Sequence, residues 1–280
     1  MKQVYTYDFF QIQSTKTSRL KNKLPNDTLK MMGMIKDKLN IKDKALFLRP
    51  TYMDKTIIAK KEKELGELYK LLNKISDKSY DKLIVQVLDT LKSIDEVNYF
   101  EMITSKIFDI ISSNNFYGEL FARLYKDISA HHEIFLSLFV DKYAVHINQF
   151  ENIEYVSPNV NYDEYCNYVK KLDTIRSMTN FVLCCHTHGV CGLNEVIDLL
   201  ICLQKKIINN LEMEEKISEN ESCINNIFII YHNKLNHMIK SEQWDEICMN
   251  HQILKDSSGK GKNNKIRFKL MDIDDLICNK

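Results

Sequence analysis

The sequence predicts an all-α protein of about ten antiparallel helices, and three observations carry that expectation. The chain of 280 residues holds only 7 Gly and 3 Pro, where ordinary usage would supply roughly 20 and 14. Residues 193–258 contain neither. Apolar residues recur at three- and four-residue steps in one segment after another, which places them on single helix faces. An all-β sandwich or barrel needs turn residues about every 8–12 positions. A nucleotide-binding α/β sheet needs clustered glycines for its phosphate loop. This composition supplies neither.

The helices follow in order. From about Asp54, residues Ile58, Leu65, Leu68, Leu72 and Ile75 form one stripe. After a break at Ser76-Asp77, Tyr80, Ile84, Val87 and Leu91 form the next. Ser93 and Glu96 have capping-box spacing and should open a third helix through Phe100, Ile103, Ile107 and Ile111. Phe116, Leu120, Leu124 and Ile128 make a fourth; His131-His132 should start a fifth, which carries Ile134, Leu138 and Ile147. A looser connector spans about 151–160. Asn161 with Glu164 then offers another capping box, before Tyr165, Leu172 and Ile175. Two strong stripes come next, Val196-Leu200-Leu203-Ile207-Leu211 and Ile224-Phe228-Tyr231-Leu235-Met238. After a Gly/Lys/Ser loop at 256–264, Ile266, Leu270, Ile273 and Leu276 close the chain.

Helices of about 12–20 residues with breaks every 18–22 give hairpins of about 40, the size of a HEAT-type repeat. One such hairpin cannot bury its own apolar face, so the expectation is a stacked HEAT-repeat-type α-solenoid. It would span residues 51–280, preceded by a largely irregular arm over 1–50. The net charge is +1, with 28% charged and 44% hydrophobic residues. This is a globular balance, neither a nucleic-acid sponge nor a disordered acidic chain. No apolar run approaches a membrane span of about 18 residues, and the first residues lack the apolar segment of a secretory signal. Eight Cys without such a signal fit a reducing compartment. A cytoplasmic location is expected.

Few constellations suggest chemistry. Cys184, His188 and Cys191 fall at i, i+4 and i+7, one helix face if the helix runs through them. No second Cys pair lies at zinc-finger spacing, so buried thiols beside a surface His are the expectation, with no metal. A thiol enzyme would need a Cys, a His base and an orienting acid; eight Cys and eight His make such a trio easy to find by chance. No catalytic residue or cofactor is expected. Lys255, Lys260, Lys262, Lys265, Arg267 and Lys269 form a basic stretch, read equally as a solvated loop or as a phosphate-contacting surface. Trp244 reads as core. Tyr5, Tyr7, Phe9 and Phe10 crowd the first ten positions, where something must cover them: a partner, or this chain's own surface.

Several segments carry a resemblance. Leu72-Asn73-Lys74-Ile75-Ser76-Asp77-Lys78-Ser79-Tyr80-Asp81-Lys82-Leu83 resembles L-N-K-L-T-P-E-K-F-D-K-L, a signature of the middle domain of eukaryotic translation initiation factor 4 gamma. Ser76-Asp77 stands where that family has Thr-Pro; either pair can cap and start the next helix. Tyr117 with Leu120-Phe121-Ala122 and Leu124 is similar to the family's Y-x-x-L-Y-A-x-L. Arg176–Phe181 resembles R-S-L-G-N-I, with Leu193-Asn194-Glu195 following like L-T-E. Lys265–Ile273 with Leu276 is similar to R-I-R-F-x-L-x-D-V-x-D-L, although Ile277 replaces the family's closing Arg. Leu48-Arg49-Pro50 keeps only the basic-proline part of a family Trp-Lys-Pro.

The resemblance implies a non-enzymatic translation-initiation scaffold that clamps a DEAD-box RNA helicase and contacts RNA. On the family's hairpin ends, the implied helicase contacts are Leu48, Arg49, Pro50, Asn73, Lys74, Lys78, Arg176, Asn180, Arg267 and Asp272. The implied RNA contacts are Lys260, Lys262, Lys265 and Lys269. The arm, through Tyr5, Tyr7, Phe9, Phe10 and Ile12, offers an incomplete version of the Tyr-x-x-x-x-Leu-apolar motif for a cap-binding initiation factor. The alternative keeps the fold in an mRNA-decay, cap-complex or translational-repression adaptor.

Overall fold

A computed structural model describes the backbone of residues 55–279, Asp95 and Asn152 apart, and side chains from Glu62 onward with the same exceptions. The arm at 1–50, with its aromatic motif and Leu48-Arg49-Pro50, lies outside the described residues. The chain divides into two units, Met1–Ile58 and Ala59–Lys280.

The described residues are all-helical, with ten α-helices. These are α1 (Lys55–Lys74), α2 (Tyr80–Leu91), α3 (Val97–Ser113), α4 (Gly118–His131), α5 (Ile134–Asn148), α6 (Tyr162–His188), α7 (Leu193–Asn209), α8 (Ile217–Met238), α9 (Trp244–Asp256) and α10 (Asn264–Cys278). Short 3-10 turns at Asn115–Tyr117 and Glu214–Lys216 lead into α4 and α8.

Most expected stripes are core. Tyr80, Ile84, Val87 and Leu91 are the buried face of α2, and Ile266, Leu270 and Ile273 that of α10. The Asn161 cap forms as expected, its side chain accepting from the N–H groups of Asp163 and Glu164. The break before α2 is closed by serine hydrogen bonds within the turn, while Ser79, the N-cap residue of α2, makes no side-chain capping bond. The Ser79 hydroxyl accepts from the Ser76 N–H at 3.0 Å.

Four local expectations need correction. The Ser93 hydroxyl donates to the Thr90 carbonyl at 2.7 Å, so it closes the turn after α2 rather than capping α3. Phe116 is 80% exposed; it sits in the 3-10 turn, before the core stripe of α4 begins at Leu120. His131 ends α4, and α5 begins only at Ile134. At 27 residues, α6 exceeds the expected length, because no glycine interrupts it before Gly189.

The even-numbered helices pack in series, the odd-numbered ones only in part, and α3 packs chiefly against α6. Among the even-numbered helices α2 packs on α4, α4 on α6, α6 on α8 and α8 on α10. Odd helices pack alongside, α3 on α5 and α7 on α9. Neighbours in sequence also meet: α4 with α5, α6 with α7, α7 with α8 and α9 with α10. The centre of the first half is aromatic. Phe108 of α3 meets Phe181 of α6 edge-on at 5.3 Å between centroids, and Tyr125 of α4 meets Phe135 of α5 at 5.9 Å. The buried Tyr125 hydroxyl donates to the Phe135 carbonyl at 2.8 Å, which satisfies the one polar atom of a large apolar ring.

Two glycine positions are dictated by the backbone. Gly189 has φ +76 and ends α6; its N–H bonds to the His186 carbonyl and the Val190 N–H to that of Cys185, the paired bonds of a Schellman motif. Gly261 lies against the turn between α7 and α8, with its N–H on the Leu211 carbonyl at 2.6 Å. A Cβ there would stand 2.2 Å from the Asn210 carbonyl oxygen. The loop before α10 is therefore docked on the protein rather than free in solvent.

Candidate functional site

The residues singled out from the sequence fall on three surfaces of the second unit. The first surrounds the α1–α2 turn. Asn73, Lys74 and Lys78 are exposed there, and Asn73 borders a cleft of about 320 Å³ lined also by Ile75, Lys106, Asp109 and Tyr117. The turn is rigidly held. The Tyr80 hydroxyl donates to Asp127 at 2.7 Å, and the Arg123 guanidinium lies 3.9 Å over the Tyr80 ring while pairing with Asp81 at 3.1 Å. Burial and the Asp127 carboxylate push the Tyr80 hydroxyl pKa well up, so it remains a neutral donor. Tyr80 and Asp81, both within the first resembling segment, thus lock α2 to α4.

The second surface lies on α6. Arg176 is exposed and pairs with Asp173 one turn back at 2.9 Å. The Asn180 amide donates to the Asn115 side chain at 2.9 Å, which ties α6 to the 3-10 turn. Asn180 therefore holds its neighbour, and Phe116 is the side chain presented there. The third surface is α10 with its preceding loop. Arg267 is exposed beside a cleft of about 380 Å³, shared with Ser257, Ser258, Met271 and Asp274. Asp272 is paired to Lys269 at 3.1 Å, and the Lys269 ammonium also lies 4.0 Å over the Phe228 ring.

The basic stretch is not a uniform set. Lys262 is buried, and its ammonium donates to the carbonyls of Leu254, Lys255 and Ser257 at 2.6, 2.9 and 2.8 Å. It caps the C-terminus of α9, where orphan carbonyls and the helix dipole favour a cation. Burial and the nearby Arg267 charge push its pKa down. Lys262 is thus corrected from an RNA contact to an internal cap: its donors are taken by its own backbone. Lys265 is exposed but pairs with Glu221 at 3.2 Å, and Lys260 is exposed.

The Cys/His cluster separates. Because α6 ends at His188, Cys191 leaves the helix and the expected single face does not form. His188 faces Glu119 at 2.7 Å. Burial, with the Glu119 charge adding, lifts the Cys184 thiol to about 12. Burial also lifts Cys191 to about 12, aided by Glu195, so both are neutral thiols at pH 7. Among the described residues no group of three or more His, Cys, Asp or Glu is placed to hold a metal ion. Trp244 is half-buried against the core.

Sequence reasoning overlooked the exposed apolar residues beside the expected polar ones. Phe116 stands next to Asn115 and Tyr117, and on α10 Phe268 and Met271 are 64% and 60% exposed beside Arg267. Exposed aromatic and Arg side chains together are the composition of interface hot spots. The i, i+3 spacing of Phe268 and Met271 showed that they share a face, but not which way it points. No helix among the described residues is long and apolar enough to cross a membrane. No family model matches this chain, and no curated protein is significantly similar to it.

Proposed function

We propose that this chain is a HEAT-repeat-type scaffold of translation initiation, acting in the cytoplasm. It binds both lobes of a DEAD-box RNA helicase and, through the arm, a cap-binding protein. The observation that carries the reading is the packing register, in which α2, α4, α6, α8 and α10 follow one another as neighbours. Stacked helical hairpins produce that register. The resembling segments fall within it in order: the α1–α2 turn, the start of α4, the middle of α6 and α10.

The mechanism is a population shift. A helicase with two mobile lobes interconverts between open and closed arrangements. A scaffold that binds one arrangement more tightly biases the equilibrium by that difference in affinity, and does no chemistry itself. The α1–α2 surface and the α10 surface lie at the two ends of the even-helix series, so one lobe on each is the reading these surfaces support. Arg267 with Phe268 and Met271 supplies an apolar and cationic contact for one of them. RNA contact rests on Lys260, with Lys265 and Lys269 released from their acidic partners on binding.

The test is a pulldown of purified helicase by the chain, with Phe268→Ala and Arg267→Glu variants. A complex is expected, weakened at least tenfold by either substitution, since hot-spot truncations cost on the order of 2 kcal/mol. Absence of any complex sinks the reading.

A further inference from the structure

The first turns of α6 contribute no fully buried side chain; those of this helix begin at Ile175. Tyr162, Tyr165 and Tyr168 follow one another there, with ring centroids 6.5 and 6.4 Å apart. Tyr155, from the connector before α6, meets Tyr168 edge-on at 5.9 Å. Four tyrosine rings thus form one continuous row, and its end members, Tyr155 and Tyr162, are 63% and 67% exposed. Single apolar side chains on a surface are ordinary, whereas a contiguous exposed patch marks a contact site.

Tyr168 also borders a cleft of about 320 Å³, whose walls include Ile153 and Val156 together with Glu154 and Glu164. Lys171 lines the same cleft, and its ammonium donates to the Glu151 carbonyl at 3.3 Å. Neither Glu154 nor Glu164 is ion-paired among the described residues. Two carboxylates against one ammonium leave a single negative charge in excess. We propose that this cleft receives an arginine side chain from a basic segment of a partner protein, with further cations of that segment on the faces of Tyr155 and Tyr162. The apolar arginine stem suits Ile153 and Val156. Its planar guanidinium suits both a tyrosine face and a carboxylate. A single-stranded nucleic acid fits less well: its bases would stack on the rings, but Glu154 and Glu164 repel its phosphates. None of these residues belongs to the three surfaces described above, so failure here leaves the helicase reading untouched.

The experiment is a fluorescence-anisotropy titration of the full-length protein with labelled octa-arginine at physiological ionic strength, alongside labelled octa-lysine and oligouridylate. Octa-arginine should bind saturably. Octa-lysine, with the same charge but no planar head, should bind about two- to fivefold more weakly, the worth of an exposed cation–π contact. Tyr155→Leu and Tyr162→Leu each keep an apolar side chain but remove a ring face, and each should weaken octa-arginine by a similar factor. The double substitution Glu154→Gln with Glu164→Gln should do so as well. All three sets of changes lie on the surface, and an unchanged thermal midpoint shows that each protein folds. The proposal is overturned if octa-arginine does not saturate, if octa-lysine binds equally well, or if neither tyrosine variant weakens binding. Tighter binding of oligouridylate, lost in Tyr162→Leu, would assign the row to nucleic acid instead; a dimer of the protein alone, lost in the same variant, would assign it to a second copy.

Discussion

Lys260 and Lys262 look alike in the sequence, two lysines in one Gly/Ser loop. The structure gives them opposite roles. Lys262 holds three carbonyls at the end of α9, and a methionine there would leave those acceptors unsatisfied. Lys262→Met should destabilise the protein by about 2–4 kcal/mol, while Lys260→Met should stay within about 0.5 kcal/mol. Urea unfolding of the two variants checks the contrast. Glu219 offers a pH test. Its carboxylate is buried, which by itself would raise its pKa, but a hydrogen bond from Lys216 and the charge of Lys206 outweigh burial and hold it below the ordinary 4.5. A carboxylate depressed on folding contributes stability that is present above its unfolded pKa and lost as pH falls through the folded value. The protein should therefore lose stability below about pH 4.5, and Glu219→Gln should flatten that part of the profile. Equal acid slopes for the two proteins would contradict the assignment.

At the scale of elements, most of the helical pattern was legible because it rests on periodicity, which a buried face enforces. The stripes of α2, α7 and α10 needed nothing else. The errors fall where capping geometry or long-range docking decides. Ser93-x-x-Glu96 has the spacing of a capping box, but its hydroxyl found a nearer carbonyl. Phe116 continues the α4 stripe in spacing, yet the 3-10 turn rotates it outward. The site was less legible than the fold for a related reason. A spacing pattern groups residues on a face without saying whether that face is buried, so Phe268 and Met271 were passed over and Lys262 was placed outside. Two predictions belong here. Asn161→Ala should cost about 1 kcal/mol through loss of the α6 cap. Gly261→Ala should cost about 1–3 kcal/mol or more, because its Cβ meets backbone that cannot turn aside. Chemical denaturation reads both; an unchanged midpoint for Gly261→Ala would mean that the loop is not docked as described.

For the whole molecule, the shortage of Gly and Pro has a specific meaning. Long uninterrupted helices let each even helix lie along the next, while Gly189 sits where the backbone turns left-handed and Gly259 and Gly261 where it touches the turn between α7 and α8. The scaffold role proposed above works through the placement of surfaces, so on that proposal function appears as a change in a partner. The most direct measurement is the distance between the two lobes of a DEAD-box initiation helicase. Resonance energy transfer between labels on the lobes would report it, with and without saturating chain, alongside the helicase's RNA-dependent ATPase rate. The expected result is a narrowed inter-lobe distribution and a faster ATPase, both reduced when Phe268 and Arg267 are substituted. An unchanged distribution and an unchanged rate at saturation would contradict the account.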